Sequence, residues 1–197
     1  GDEESVQQML ECANMARKYS DRELLLSEAC FYNPDRAFEK LQEKERISHL
    51  FEALEKRQFV VYLQPKVSLK TQKIIGAEAL IRWNRPGVGI VSPGEFVPLL
   101  ERYRLVHHID VFVFEEVCRI LAEWKHRNMS NLPISLNLSR QTIEIPNLLP
   151  HFQSVCKSLD VDPGLIELEI TETSAIKSYD RVREFIGQLK NFGFKCS

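Results

Sequence analysis

A glutamate and an arginine, Glu78 and Arg82, sit inside the run IIGAEALIRW, which otherwise favours leaving water. Charged groups in apolar surroundings are costly unless they are paired, hydrogen-bonded or bound to a metal. If the run is a strand, its side chains alternate between two faces. Glu78, Leu80 and Arg82 then share one face, and Ala77, Ala79, Ile81 and Trp83 the other. The same division recurs twice downstream. In PISLNLS, Ser135, Asn137 and Ser139 lie opposite Leu136 and Leu138. In GLIELEITE, Glu167, Glu169 and Thr171 lie opposite Leu168 and Ile170. Glu78, Asn137 and Glu169 converging on one polar face would be hard oxygen donors, which suit Mg²⁺ or Mn²⁺ rather than zinc. Arg82, one pleat further along, is then free to grip an anionic substrate such as a phosphate bidentately. The same residues also allow a plainer arrangement. Glu78 and Arg82 could form a structural ion pair, Asn137 could tie down a turn, and Glu169 could face solvent in an open sheet.

The elements that must position these residues follow from the change of rhythm along the chain. Ser5 to Tyr19 reads as helix, and Leu24 to Asn33 is ambiguous. Ile47, Leu50, Phe51 and Leu54 recur at helical spacing with charges between them. FVVYLQP, from Phe59, is a short β-branched and aromatic strand stopped by Pro65. After the second strand, RPGVGIVSPGEF reads as a loop leading into a helix. Ser92, Pro93 and Glu95 have the form of a capping box, with proline at the first helical position. Helical patterning then reaches about Arg127, with room for a break. A third strand, a helix around Leu148 to Leu159 and a fourth strand follow. The last helix runs from about Tyr179 to Phe192, with Gly193 as a left-handed cap, and a fifth strand begins at Phe194. Strands alternating with helices argue for crossovers and a parallel sheet. An open doubly wound sheet and a (β/α) barrel both fit. In a barrel the polar face would point inward near the C-terminal mouth. No glycine-rich phosphate loop follows any strand.

Composition narrows the class without choosing the chemistry. The chain has 197 residues, 44% hydrophobic and 27% charged, with a net charge of −2. That balance gives no electrostatic case for DNA or RNA as a partner. No apolar run approaches the roughly 18 residues of a membrane span. The acidic start, GDEES, lacks an initiator methionine and reads as the beginning of a fragment. Cys12, Cys30, Cys118, Cys156 and Cys196 are scattered, odd in number and without a CxxC pair. They are expected to be reduced, mostly buried thiols of a cytoplasmic protein. His107 and His108 belong to no motif and receive no role.

At this point the motifs match a family. VVYLQPKVSLKTQKIIGAEALIRWNRP, IVSPGEFVPLLE, ISLNLS and LELEITET stand in the order of the EAL domain of cyclic di-GMP phosphodiesterases, which the chain resembles from about Ile47 to Ser197. The resemblance implies an α/β fold. It would be a partial (β/α) TIM-like barrel of about the first four βα units, preceded by an N-terminal helical segment. It implies hydrolysis of cyclic di-GMP to linear pGpG with Mg²⁺ or Mn²⁺. Glu78, Asn137 and Glu169 would be metal ligands, and Glu78 and Glu172 catalytic, Glu172 by holding a loop near metals and substrate. Gln64, Leu80 and Arg82 would contact substrate. The family's paired aspartates and catalytic lysine come later than Ser197, so these residues are expected to be inactive alone. An inactive domain acting as a cyclic di-GMP receptor or protein-interaction module is the alternative. ANMARK and the residues after it resemble the tail of a GGDEF domain. The expected organisation is a GGDEF-like remnant over 1–34, a linker and first helix over 35–57, and the half barrel over 58–197. Expected partners are cyclic di-GMP, a second copy through the barrel or its open edge, and an upstream sensory or GGDEF domain, with the parent protein tethered to a membrane upstream or free.

Overall fold

The structure, a computed structural model, describes residues 6–11, 13–14, 34–129, 132–170 and 179–197. The chain divides into two compact units, Gly1–Lys56 and Arg57–Ser197. In the first, residues 6–11 and 13–14 are helical, and helix α1 spans Pro34–Glu55. Of its apolar stripe, Leu50 is buried and Ile47, Phe51 and Leu54 are half-buried. Of the expected GGDEF-like remnant, residues 6–11, 13–14 and 34 are described and the rest lies outside the described residues.

The second unit is built on one sheet. Its strands are β1 (Phe59–Val67), β2 (Ile74–Arg85), β3 (Gly89–Val91), β4 (Ile134–Leu138), β5 (Ile166–Ile170) and β6 (Lys195–Cys196). Their order is β1-β2-β4-β5-β6, with β3 paired to β2. β2, β4, β5 and β6 are parallel, whereas β1 runs antiparallel to β2. The reason lies in the connection. Only Ser68–Lys73 separate β1 from β2, and a parallel crossover needs a dozen residues or more. Pro65 is tolerated because β1 is an edge strand. Among the described residues β1 and β6 end the sheet, and it does not close.

The helices are α2 (Val97–Arg102), α3 (His107–His126), α4 (Arg140–Ile143), α5 (Leu148–Ser158) and α6 (Tyr179–Asn191). The expected break after α2 falls at Arg104, whose φ of 58° ends the helix in the left-handed region. Gly193 follows α6 with φ 89°, the conformation its position requires. Two local expectations fail. RPGVG is a hairpin onto β3, not an open loop, with Val88 N donating to Arg85 O. The capping box does not form either. Ser92 makes no side-chain cap bond, because the turn over Pro93–Glu95 is a single 3₁₀ turn in which Glu95 N and Phe96 N bond Ser92 O and Pro93 O.

The core lies between the apolar sheet face and the helices. Ala79, Ile81, Leu136, Leu138 and Leu168 are buried on the strands, and Val113, Phe114, Val117 and Phe152 on the helices. Phe114 of α3 stacks on Phe152 of α5 with ring centroids 3.7 Å apart. Phe59, Trp83 and Phe96 form a second aromatic cluster at the β1 end. Cys118 and Cys156 are free and buried in the core, their sulfurs 3.9 Å apart, and Cys196 is free and half-buried. Cys12 and Cys30 lie outside the described residues.

Candidate metal centre

The register places the polar residues in rows across the sheet. Gln64 of β1 stands opposite Glu78. Glu78 is level with Ser135, Ser135 with Glu167, and Glu167 with Lys195. One pleat further toward the strand ends, Asn137 is level with Glu169. Between these rows lie the buried Ala79, Leu136 and Leu168, which face the helices. The alternation read from sequence therefore holds across three adjacent strands. Gly76 makes the close approach possible. A side chain there would place its Cβ 2.8 Å from Pro133 O, which accepts the Ala77 amide at 3.0 Å.

Glu78 and Asn137 are in direct contact, with Asn137 Nδ2 donating to Glu78 Oε1 at 3.0 Å. Glu169 accepts from Lys66 Nζ at 2.6 Å. This ion pair joins β1 to β5 with β2 and β4 between them, and on a flat sheet three spacings of about 4.8 Å would hold their backbones apart. The bond thus spans the hollow of a curved sheet whose concave face is the polar one. Lys66 holds the Glu169 carboxyl below its ordinary range, outweighing the opposing effect of burial. Glu169 in turn raises Lys66, with smaller contributions from Glu167 and Glu78. The buried Ser135 hydroxyl is close enough to Glu169 to favour its charged form, but falls short of hydrogen-bond geometry.

Arg82 does not pair with Glu78. Its Nη1 donates to the Ile81 carbonyl at 2.8 Å, so the structural ion pair allowed by the sequence does not form. Leu80 and Asn137 line a cavity of about 360 Å³ between the strand ends and helices α2 and α3. A larger cavity, about 650 Å³, lies away from these residues among Ile143, Leu149, Arg181 and Phe185. Gln64 is exposed on the strand next to Glu78. Glu172 lies outside the described residues. Glu78, Asn137, Glu169, Leu80, Arg82 and Gln64 thus occupy one face of one sheet.

Two residues of this neighbourhood were not read from the sequence. Lys66 shares strand parity with Gln64 and so could have been assigned to the same face. Asp110 gave no signal, being one acid on an otherwise apolar helix face. It is buried, and its Oδ2 accepts from Ser139 N at 2.9 Å and Thr142 Oγ1 at 2.6 Å. Ser139 caps α4 through its side chain, accepting from Thr142 N. Asp110 thereby ties α3 to the turn that follows Asn137.

Two carboxylates and an amide are hard donors that fit Mg²⁺ or Mn²⁺. Among the described residues no three His, Cys, Asp or Glu side chains cluster closely enough to hold a metal by themselves. The set therefore depends on the asparagine and on further ligands.

A curved, mainly parallel sheet with helices on one face and oxygen donors on the other defines the class: a TIM-like (β/α) domain. Within that class the chain belongs to the EAL domain family, whose model matches residues 47–197. It is 30% identical over 168 residues to the bifunctional diguanylate cyclase/cyclic di-GMP phosphodiesterase MucR of Pseudomonas aeruginosa, covering 85% of this chain and 24% of MucR. It is 34% identical over 135 residues to the cyclic di-GMP phosphodiesterase PA2567 of the same organism, covering 68% of this chain and 23% of that protein. The chain thus spans about a quarter of the length of these relatives. Among solved structures, the MucR phosphodiesterase in complex with c-di-GMP superposes with a TM-score of 0.71 at 32% identity, covering 76% of this chain and 61% of that one. The Xanthomonas citri FimX EAL domain in complex with c-diGMP shares the fold, with a TM-score of 0.73 at 20% identity, covering 80% and 61%.

Proposed function

We propose that this chain contributes the first part of a metal-dependent active site that hydrolyses cyclic di-GMP to linear pGpG. The observation that carries the reading is the meeting of Glu78 with Asn137 on the concave face, with Glu169 level with Asn137 on the next strand, in a chain of the EAL family. Glu78, Asn137 and Glu169 would hold Mg²⁺ or Mn²⁺. A divalent cation bound there supplies Lewis acidity toward the phosphodiester. Arg82 has one guanidinium nitrogen committed to a backbone carbonyl and others free for a phosphate oxygen. Leu80 gives the cavity beside Asn137 an apolar wall against which a purine can lie. Gln64, opposite Glu78, is placed at the edge of the same surface. Glu172 is assigned the holding of a loop near the metals and substrate.

Three donors do not make a two-metal site, in which two ions about 3.5–4 Å apart would need further carboxylates to bridge them. Residues 58–197 alone are therefore inactive in this reading, and further ligands complete the centre. The exposed edge of β6 is the surface through which another strand or a second copy would pair. An upstream GGDEF or sensory domain would govern the whole protein. Among the described residues no helix is long and apolar enough to cross a membrane. The free thiols of Cys118, Cys156 and Cys196 fit a cytoplasmic domain, whether or not its parent is tethered.

The test is turnover of cyclic di-GMP by the full protein with Mg²⁺ or Mn²⁺, beside its Glu78→Ala variant. Linear dinucleotide from the first and none from a folded variant is the expected result. Binding of the dinucleotide without turnover by either protein would replace the enzyme reading with a receptor.

A further inference from the structure

Three carboxylates, Glu78, Glu167 and Glu169, lie on the concave face, and a cation of the chain itself lies among them. Lys66 Nζ is 2.6 Å from Glu169 Oε1. Glu78 is engaged by Asn137 Nδ2 at 3.0 Å. Each carboxylate proposed as a metal ligand is thus already compensated by a donor from another strand. Half-buried carboxylates grouped in this way repel one another, and a positive charge among them removes that cost. An ammonium on a flexible stem is suited to a temporary post, since it is a compact, strongly hydrated charge that can withdraw into water. The Lys66 side chain is 39% exposed and Glu169 27%, so solvent is at hand to receive it.

We propose that Lys66 is a resident countercharge of the metal centre, holding Glu169 until a divalent cation takes its place. Cation entry is then an exchange of one positive charge for another, and Lys66 sets how tightly the metal is held. This rests on the reading of Glu78, Asn137 and Glu169 as ligands. It is distinct from an orienting role, in which a lysine steadies a ligand and its loss weakens metal binding. The two roles predict opposite signs.

The experiment is a titration of Mn²⁺ into the full chain, following the electron paramagnetic resonance signal of the free ion, for wild type, K66M and K66R. K66M is expected to bind Mn²⁺ about tenfold more tightly, through removal of one charge beside a partly solvated site. K66R keeps the charge and is expected to bind as wild type does. If K66M binds with unchanged or weaker affinity, the proposal is overturned while the metal centre stands. If neither wild type nor K66M takes up Mn²⁺, or if E78A takes it up as well as wild type, the centre itself is misassigned and the proposal falls with it. Should K66M fail to fold by circular dichroism, K66Q removes the charge while keeping a polar tip, and the same tightening is expected of it.

Discussion

Replacing Gly76 with alanine should destabilise the sheet at the joint between β2 and β4. Gly76 is buried and precedes the strand segment that carries Glu78. A Cβ there would lie 2.8 Å from Pro133 O and 3.4 Å from Pro133 Cγ. The backbone of Gly76 is not in the left-handed region, so the substitution adds no conformational strain. The clash is with backbone, which cannot swing aside as a flexible side chain would. It also falls on the oxygen that accepts the Ala77 amide, the first rung between the two strands. Overpacking costs about 1–3 kcal/mol and a lost hydrogen bond about 0.5–1.5 kcal/mol. We expect a total loss of about 2–4 kcal/mol. Gly187 is the matched control. It is exposed on α6, with nothing within 4 Å of its Cβ position, so alanine there should stabilise by about 0.5–1 kcal/mol. Urea unfolding followed by far-ultraviolet circular dichroism reads both. A Gly76→Ala unfolding free energy within about 0.5 kcal/mol of wild type, at unchanged slope, would refute the reasoning, since it would mean that the two strands separate without cost.

Two further expectations concern the core and its buried acid. Phe152→Ala should cost about 3–5 kcal/mol, because the ring is fully buried and stacked on Phe114, and a thermal midpoint close to wild type would sink it. Asp110 is held above its ordinary value by burial, which outweighs its bonds to Thr142 and Ser139. The folded chain then binds the proton more readily than the unfolded one, so stability should fall as pH rises from the ordinary value of 3.8 through the raised folded value. Asp110→Asn keeps an acceptor for the Ser139 amide and should flatten that dependence in thermal melts taken across pH; parallel profiles for the two proteins would contradict it.

The face assignments were legible because a strand has only two faces. Once LELEI, ISLNL and AEALIR are taken as strands, parity alone places Glu169, Asn137 and Glu78 together. The register supplies the rest, and it was not in the sequence: Asn137 stands level with Glu169, and one pleat beyond Glu78. The direction of β1 could have been read from the six residues after it. The SPGE signature misled because a capping box assumes a regular first turn of α-helix, and proline and glycine together tightened that turn to 3₁₀. The Lys66–Glu169 pair was beyond a linear reading, since its partners are 103 positions apart and meet only because the sheet curves. Asp110 was hidden for a different reason. Its meaning lies in the Ser139 amide and the Thr142 hydroxyl, which a different helix presents to it.

The strand order has a consequence for how the protein is made. From one edge to the other, the main strands lie in the order in which they are translated. A chain leaves the ribosome from its N-terminus at about 5–20 residues per second. β1 and β2 can close their hairpin first, and each later strand then emerges beside a partner already in place. No strand waits for one still to be synthesised, so at any moment the newest strand forms the growing edge, with β1 at the standing edge opposite. Assembly can thus proceed vectorially, and a pause in translation would leave a smaller sheet of the same kind with its newest strand at the edge.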